Sequence, residues 1–274
     1  MIKKTIVTGM VALMSLAAMA LPAKRGLTNV ITLNDGTKVE VSLVGDEFMH
    51  YWQDANGNKY VPTGEANVFK LADASAVSNL TTRALARKAK AHARRAARRN
   101  LSNATDVFQG KKKGLVILVE FTDVKFKNSD SQTLFNRIAN EAGYNEGYFQ
   151  GSVKDYFLAQ SRGQFELDFD VVGPVKLSHN MKYYGGNDEN GYDLHPEEMI
   201  VEACKGIDSK VDFSKYDWDG DGEVDQVYVI YAGYGEADTG NENTIWPHKY
   251  QLSGASMALT LDGVKVDTYA CSSE

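Results

Sequence analysis

Period-two alternation marks the first part of the chain after about residue 26. Val30-Ile31-Thr32-Leu33 and Lys38-Val39-Glu40-Val41-Ser42-Leu43 alternate apolar and polar residues on either side of Asn34-Asp35-Gly36. Such alternation gives a strand one buried and one wet face. Asp-Gly readily takes the positive φ that a two-residue hairpin turn demands. A second hairpin is expected around Asn56-Gly57, between Phe48–Gln53 and Lys59–Val61. Residues 21–80 therefore read as a small β-rich domain.

The pattern then changes. From Thr81 to Lys113, Arg83, Arg87, Lys88, Lys90, Arg94, Arg95, Arg98 and Arg99 are interleaved with alanines, and Lys111-Lys112-Lys113 closes the run. The composition forms helix readily, but it has almost no apolar stripe with which to dock. A basic helical linker over 81–113 follows, either merely solvated or open to trypsin-like cleavage.

Residues 114–274 mix both periods. Gly114–Phe121 is a nearly continuous apolar run, expected as a strand buried on both faces. Gln164–Val172 alternates, and Asp225–Tyr231 reads as a second buried strand. Helices are expected over Gln132–Ala142, over Ser152–Gln160 with Ser152 as N-cap, and over Pro196–Lys205 with proline in the tolerated first position. Met257–Leu261 and Val264–Ala270 flank Asp262-Gly263 and read as a hairpin. The fold class expected is α+β, with a mixed sheet and helices mostly on one side.

Charge and the first residues add a compartment. Lys3 and Lys4 precede an apolar stretch from Ile6 to Ala20 that ends in Ala18-Met19-Ala20. This is the pattern of a secretory signal peptide over residues 1–20, cleaved between Ala20 and Leu21. The stretch is shorter than the roughly 20 apolar residues of a spanning helix. No stable membrane insertion is expected after cleavage, and the location expected is secreted or extracytoplasmic. The net charge of −6 conceals 18 Lys/Arg against 8 Asp/Glu up to Lys113, and 12 against 28 beyond it. The acidic second part would repel phosphates, which argues against nucleic acid as a partner. Cys204 and Cys271 are the two cysteines. They make no disulfide framework, and pairing or two free thiols both remain open.

The sharpest local motif is Asp217-Trp218-Asp219-Gly220-Asp221-Gly222-Glu223-Val224-Asp225. Carboxylates stand at positions one, three, five and nine, with glycine at six. Calcium takes six to eight oxygen ligands, and a loop wound round the ion turns every second residue inward. Asp217, Asp219, Asp221 and Asp225 are candidate ligands through side chains, and Glu223 through its backbone carbonyl. Position twelve is Tyr228, not the bidentate Glu of an EF-hand, and the segment after the loop is β-forming.

Zinc hydrolysis calls for H-E-x-x-H on a helix, two imidazoles on one face beside a general base. The five histidines are His50, His92, His179, His195 and His248, and no two lie four apart. His195-Pro-Glu-Glu-Met199 departs from the motif at its second and fifth positions. No nucleophile elbow, P-loop or dinucleotide fingerprint is present. No catalytic residue is assigned, and no zinc ligand.

A string of blocks nonetheless resembles the catalytic domain of the immune inhibitor A-type secreted metalloproteases, peptidase family M-six. In order they are Gly114–Phe121 with Asp123, Gly151–Phe157 with Gln160–Gly163, Asp170–Val175, Tyr183-Tyr184-Gly185, Asp217–Glu236, and Ile245-Trp246-Pro247-His248. Trp246 by itself reads as a core residue. Gly45-Asp46-Glu47 with His50 is similar to the propeptide of such precursors. The resemblance implies a zincin-like fold, a zinc-dependent endopeptidase acting on protein or peptide substrates, and calcium at the aspartate loop. It places the family's zinc helix shortly after the block resembling Val266–Glu274. It thereby implies a precursor fragment ending before the zinc motif and inactive as it stands. By analogy, Val264–Ala270 is expected along the substrate cleft. The alternative is a non-catalytic extracellular calcium-binding module or a degenerate protease homologue.

Overall fold

The computed structural model describes residues 21–65, 67–101 and 107–274. The signal peptide expected over residues 1–20, Ala20 included, lies outside the described residues, whereas Leu21 lies within them.

Strands β1 (Thr28–Leu33), β2 (Lys38–Asp46), β3 (Met49–Gln53), β4 (Lys59–Pro62) and β5 (Val68–Leu71) form a closed barrel, with β5 returning parallel to β1. Closure pairs strand edges that would otherwise stand open. Ile31, Val41, Leu43, Trp52, Tyr60 and Phe69 fill its core. Helix α1 (Ala74–Leu101) follows, and the Asp73 carboxylate accepts the Ala76 amide at 2.7 Å as its cap. The helix therefore starts ahead of the basic run. It docks less through an apolar face than through its cationic heads. Lys88 Nζ meets Asp46 Oδ2 at 2.8 Å, Arg87 lies 3.8 Å over the Tyr192 ring, and Lys90 Nζ donates to the Gly254 carbonyl at 3.4 Å.

The rest is built on a five-stranded sheet in the order β7-β6-β8-β12-β9, formed by β6 (Gly110–Glu120), β7 (Phe165–Lys176), β8 (Val227–Tyr231), β9 (His248–Gln251) and β12 (Thr268–Ser273). The first four run parallel, and β9 is an antiparallel edge. β10 (Leu259–Leu261) and β11 (Val264–Val266) make a separate hairpin. The helices are α2 (Ser131–Asn140), α3 (Val153–Gln160), α4 (Met181–Gly185), α5 (Pro196–Ile207) and the short α6 (Glu236–Thr239). Among the described residues no helix is long and apolar enough to cross a membrane.

Strand β6 explains why both faces are covered. Leu115, Ile117 and Val119 pack on Met199, Ile200, Ala203 and Ile207 of α5, while Val116 and Leu118 pack with Phe126, Val171 and Ala139 of α2. Helices thus lie on both sides of the sheet, not mostly on one, because a strand apolar on both faces needs two covers. Lys111, Lys112 and Lys113 also belong to β6 and not to a linker. Lys113 Nζ sits 2.9 Å from both Asp168 and Asp170 on β7, and Lys111 meets Glu166 at 3.4 Å. Cross-strand carboxylates offset the charge that would keep three lysines out of a sheet.

The run Val264–Ala270 is split. Asp267, only 5% exposed, breaks it by accepting from the Ser253 amide at 2.7 Å and from Lys265 Nζ at 3.0 Å. The part beyond it enters the sheet as β12, between β8 and β9. The expected cleft-lining strand is therefore interior, and β9 forms the outer edge.

Candidate functional site

The aspartate loop leads from a short 3-10 turn at Phe213–Tyr216 to β8. Its shape comes from its own carboxylates and glycines. Asp217 Oδ1 accepts the Gly220 amide at 2.8 Å and Oδ2 the Gly222 amide at 2.9 Å. Asp225 Oδ2 accepts the Trp218 amide at 2.6 Å. Gly222 holds φ at 86°, in the left-handed region that a side chain would strain. Winding of this kind gathers oxygen atoms of Asp217, Asp219 and Asp225 within 4.8 Å of one another. Three carboxylates at that spacing repel each other, and an oxygen-loving cation between them would relieve the repulsion. Asp221 stands outside that set, its Oδ1 accepting the Glu223 amide at 2.8 Å. The Glu223 side chain faces Lys265 Nζ at 3.4 Å, while the atom expected to bind is its backbone carbonyl. Trp218 anchors the loop, its Nε1 donating to the Lys113 carbonyl at 2.7 Å.

A second concentration of polar groups lies where the barrel meets the sheet. Trp246, 2% exposed, joins the barrel's core cluster along with Ala237 of α6. Its indole stacks on the His50 ring of β3 at 4.3 Å and 16°, and its Nε1 donates to the Leu21 carbonyl at 3.1 Å. Gly240 permits the approach of Trp52. A Cβ there would lie 2.4 Å from the Trp52 ring, at a φ of 68°. Backbone ties add to the seam, with the Lys24 amide on the Ala237 carbonyl at 2.8 Å and the Tyr192 hydroxyl on the Phe48 carbonyl at 3.0 Å.

Charge is buried in this seam. His50 Nε2 stands 3.5 Å from Glu236 Oε1, an ion-pair contact longer than a good hydrogen bond. Glu236 is 1% exposed, and Asn187 Nδ2 donates to its Oε1 at 2.9 Å. Among the described residues His50 Nε2, Asn187 Oδ1 and Glu236 Oε2 have no hydrogen-bond partner, and a cavity of about 30 Å³ is lined by His50, Glu236 and Glu242. Burial disfavours the His50 imidazolium, but the Glu236 carboxylate more than offsets it and raises the pKa. Burial, reinforced by Glu236, pushes Glu242 up to about 7. Asp193 is pushed well above the usual carboxylate range by burial and the Glu236 charge.

Next to it, His248 Nδ1 lies 2.7 Å from the Trp246 carbonyl and Nε2 2.9 Å from the Tyr269 hydroxyl. Cys271 Sγ is 3.5 Å from His248 Nδ1, and Asp193 Oδ2 is 3.9 Å from it. The set resembles a Cys-His-Asp triad only on paper. Burial drops His248 to about 4 and pushes the Cys271 thiol up, so neither a thiolate nor an imidazolium is available. Cys204 and Cys271 are both buried and free, which settles the pairing left open above. His179 stacks on Tyr183 at 3.9 Å, and Tyr183 on His195 at 4.5 Å. Among the described residues, Asp217, Asp219 and Asp225 are the one set of three or more His, Cys, Asp or Glu that gathers for a metal. These residues do not fit a catalytic zinc, and no step through zinc is derived from them.

The seam is invisible in sequence because its partners are far apart. His50, Glu236 and Trp246 each fall in blocks that resemble the family, but nothing in those blocks says that His50 meets Glu236 or that Leu21 meets Trp246.

Comparison with known proteins follows the sheet. Residues 101–271 match the model of the family described as immune inhibitor A peptidase M6, catalytic domain. Immune inhibitor A of Bacillus thuringiensis subsp. alesti is 26% identical over 191 residues, which is 57% of this chain and 28% of that protein. The chain thus spans about 28% of the length of that curated relative.

Proposed function

The chain belongs to the immune inhibitor A peptidase M6 family, and on that premise we propose that it is the propeptide-bearing front part of a secreted, zincin-like zinc endopeptidase. The observation that carries the reading is that the matched residues take in β6, β7, β8 and β9 of the five-stranded sheet and β12 as far as Cys271. The barrel and α1 play the part of the propeptide. Through Arg87 and Lys90, α1 reaches across Tyr250 of β9 to Gly254, beside the sheet's antiparallel edge. The zinc ligands and general base belong to a part of the protein outside this sequence, and substrates are proteins or peptides. The polypeptide of these residues alone is therefore expected to hydrolyse no casein with zinc supplied, while a product of the longer reading frame does. Hydrolysis by residues 21–274 that chelators abolish, or tightly held stoichiometric zinc in them, would overturn this reading. A longer frame without an H-E-x-x-H motif would favour the degenerate homologue instead.

The aspartate loop takes calcium in this reading, through Asp217, Asp219 and Asp225. Calcium at about 100 times its dissociation constant would stabilise the folded state by about 2.7 kcal/mol. For a chain of this size that is a rise in Tm of about 5–10 °C. Thermal unfolding with calcium against chelator measures it. Asp219→Asn is the informative variant, because Asp219 makes few bonds within the loop apart from the Asp221 amide at 3.3 Å. Its Tm without calcium should match or slightly exceed the parent's, because one of the repelling charges is gone, and its calcium response should vanish. An unchanged response would refute the ligand assignment.

A further inference from the structure

The segment at the start of the described residues is woven into the seam, and one of its atoms meets a carboxylate that, among the described residues, has no cation of its own. The Leu21 amide nitrogen lies 2.5 Å from Glu47 Oε2. The Leu21 carbonyl takes the Trp246 indole proton, Pro22 bridges Asp46, and the Ala23 amide donates to the Gly45 carbonyl at 3.0 Å. Glu47 sits between these contacts on the wall of a cavity of about 50 Å³ shared with Arg87, Asp193, Glu197 and His248. The basic groups nearby are already committed. Lys88 pairs with Asp46 at 2.8 Å, and Arg87 stacks on Tyr192. Burial, with the like charge of Asp46 added, leaves the Glu47 carboxyl raised to about 7 against the pull of the backbone amides and of Lys88.

The sequence places a signal-peptide cleavage point one bond away, after Ala18-Met19-Ala20. Hydrolysis there adds water across the Ala20–Leu21 peptide bond. Ala20 leaves with a new carboxylate, and Leu21 keeps a new α-ammonium group. We propose that the α-ammonium of Leu21, released by signal-peptide removal, is an ion-pair site for Glu47 that fastens the barrel to the sheet domain through Trp246. The amide has one proton to give, whereas the ammonium has three and a full charge. A charge-assisted contact to a half-buried carboxylate is about twice as strong as a neutral one. Removal of the leader then does more than free the protein from its export signal. It supplies a full positive charge at Glu47, where among the described residues Lys88 is shared with Asp46, and so tightens a seam that the other contacts already form. The inference rests on the secretion reading and not on the peptidase reading, so the zinc and casein experiments leave it untouched.

The test uses the full chain secreted from a bacterial host. Intact mass gives the first residue, expected to be Leu21. The rate of α-amine acetylation at pH 7 is then followed by peptide mapping. An ordinary α-amine has a pKa of about 7.7–8.0, and each unit by which Glu47 raises it lowers the reactive fraction about tenfold. Leu21 should therefore label about tenfold more slowly than the α-amine of a free leucyl peptide. Glu47→Gln should restore the free rate. In a form carrying Gly-Ser before Leu21, the new α-amine should label at the free rate with or without Glu47→Gln. A mature protein starting elsewhere, or a parent Leu21 that labels like the free peptide, overturns the proposal. The parent rate alone decides the matter if the variant fails to fold.

Discussion

Trp246→Ala is expected to destabilise the protein by about 3–5 kcal/mol, in the range for removing a fully buried large aromatic. The indole is buried on both sides. It closes the barrel's core cluster, stacks on His50 at 4.3 Å and holds the Leu21 carbonyl at 3.1 Å, while its own amide donates to Asp193 at 3.2 Å. Alanine would keep the amide bond and lose the rest. The cavity it leaves lies between the barrel and the sheet, so part of the cost is expected as undocking in place of global unfolding. Urea unfolding followed by hydrogen exchange at β3 and α6 measures both. Trp218→Ala is the control, because Trp218 anchors the aspartate loop away from the seam. If Trp246→Ala costs under 1 kcal/mol, or exchange at β3 does not rise, the seam is not held by Trp246.

Elements with strong local chemistry were legible in the sequence. Ser152 caps α3 with a reciprocal box, its hydroxyl taking the Asp155 amide and Asp155 taking the Ser152 amide. Pro196 opens α5, and the apolar run of β6 is buried on both faces. Elements held by distant partners were not. Strand β9, His-Lys-Tyr-Gln, has no period to read and exists because β12 pairs with it. The lysines of β6 look like linker until Glu166, Asp168 and Asp170 stand opposite them. Asp267 looks like one more polar residue in a strand, and only its bonds to Ser253 and Lys265 show why the strand breaks there. The aspartate loop lies between these cases. Its spacing announces an ion loop, but spacing does not tell which carboxylates converge. Asp217, Asp219 and Asp225 do, the first and last while also accepting backbone amides, whereas Asp221 accepts an amide outside the cluster. The histidines divide in the same way. His195 beside a helix start is a local feature, whereas His50 acquires its meaning from Glu236 on another domain.

That pair makes the docking of the barrel depend on pH. His50 and Glu236 face each other at 3.5 Å, with Glu242 on the same cavity and the Asp46 carbonyl 3.4 Å from His50 Nδ1. The His50 pKa is raised in the docked state. A raised histidine holds its proton more tightly docked than free. Its contribution is full below the ordinary value of about 6.5 and is lost as pH climbs through the higher docked value. Glu242 points the same way. Raised from 4.5 to about 7, it contributes fully below 4.5 and loses its contribution as pH rises through 7. Neither group opposes the other, and Glu47, raised to about 7, adds to the same fall. His248, lowered to about 4, works against it up to about pH 6.5, so the net weakening is expected from about pH 6.5 to pH 8. Each proton changes the slope by at most about 1.4 kcal/mol per pH unit, and less for Glu242, which solvent partly screens. His50→Ala removes the cation and leaves Glu236 buried without its counter-charge. A cost of about 3–5 kcal/mol is expected where the pair is ionised, near pH 6. The deficit should shrink towards pH 8, where the parent has already lost the imidazolium. Stability measured by urea at each half pH unit, for the parent, His50→Ala and Glu242→Gln, tests the assignment. Glu242→Gln should remove only the Glu242 share of the fall, between about 4.5 and 7, and keep the His50 share above about 6.5. If the parent curve rises with pH across about 6.5–8, or His50→Ala runs parallel to it throughout, the seam does not titrate through this pair.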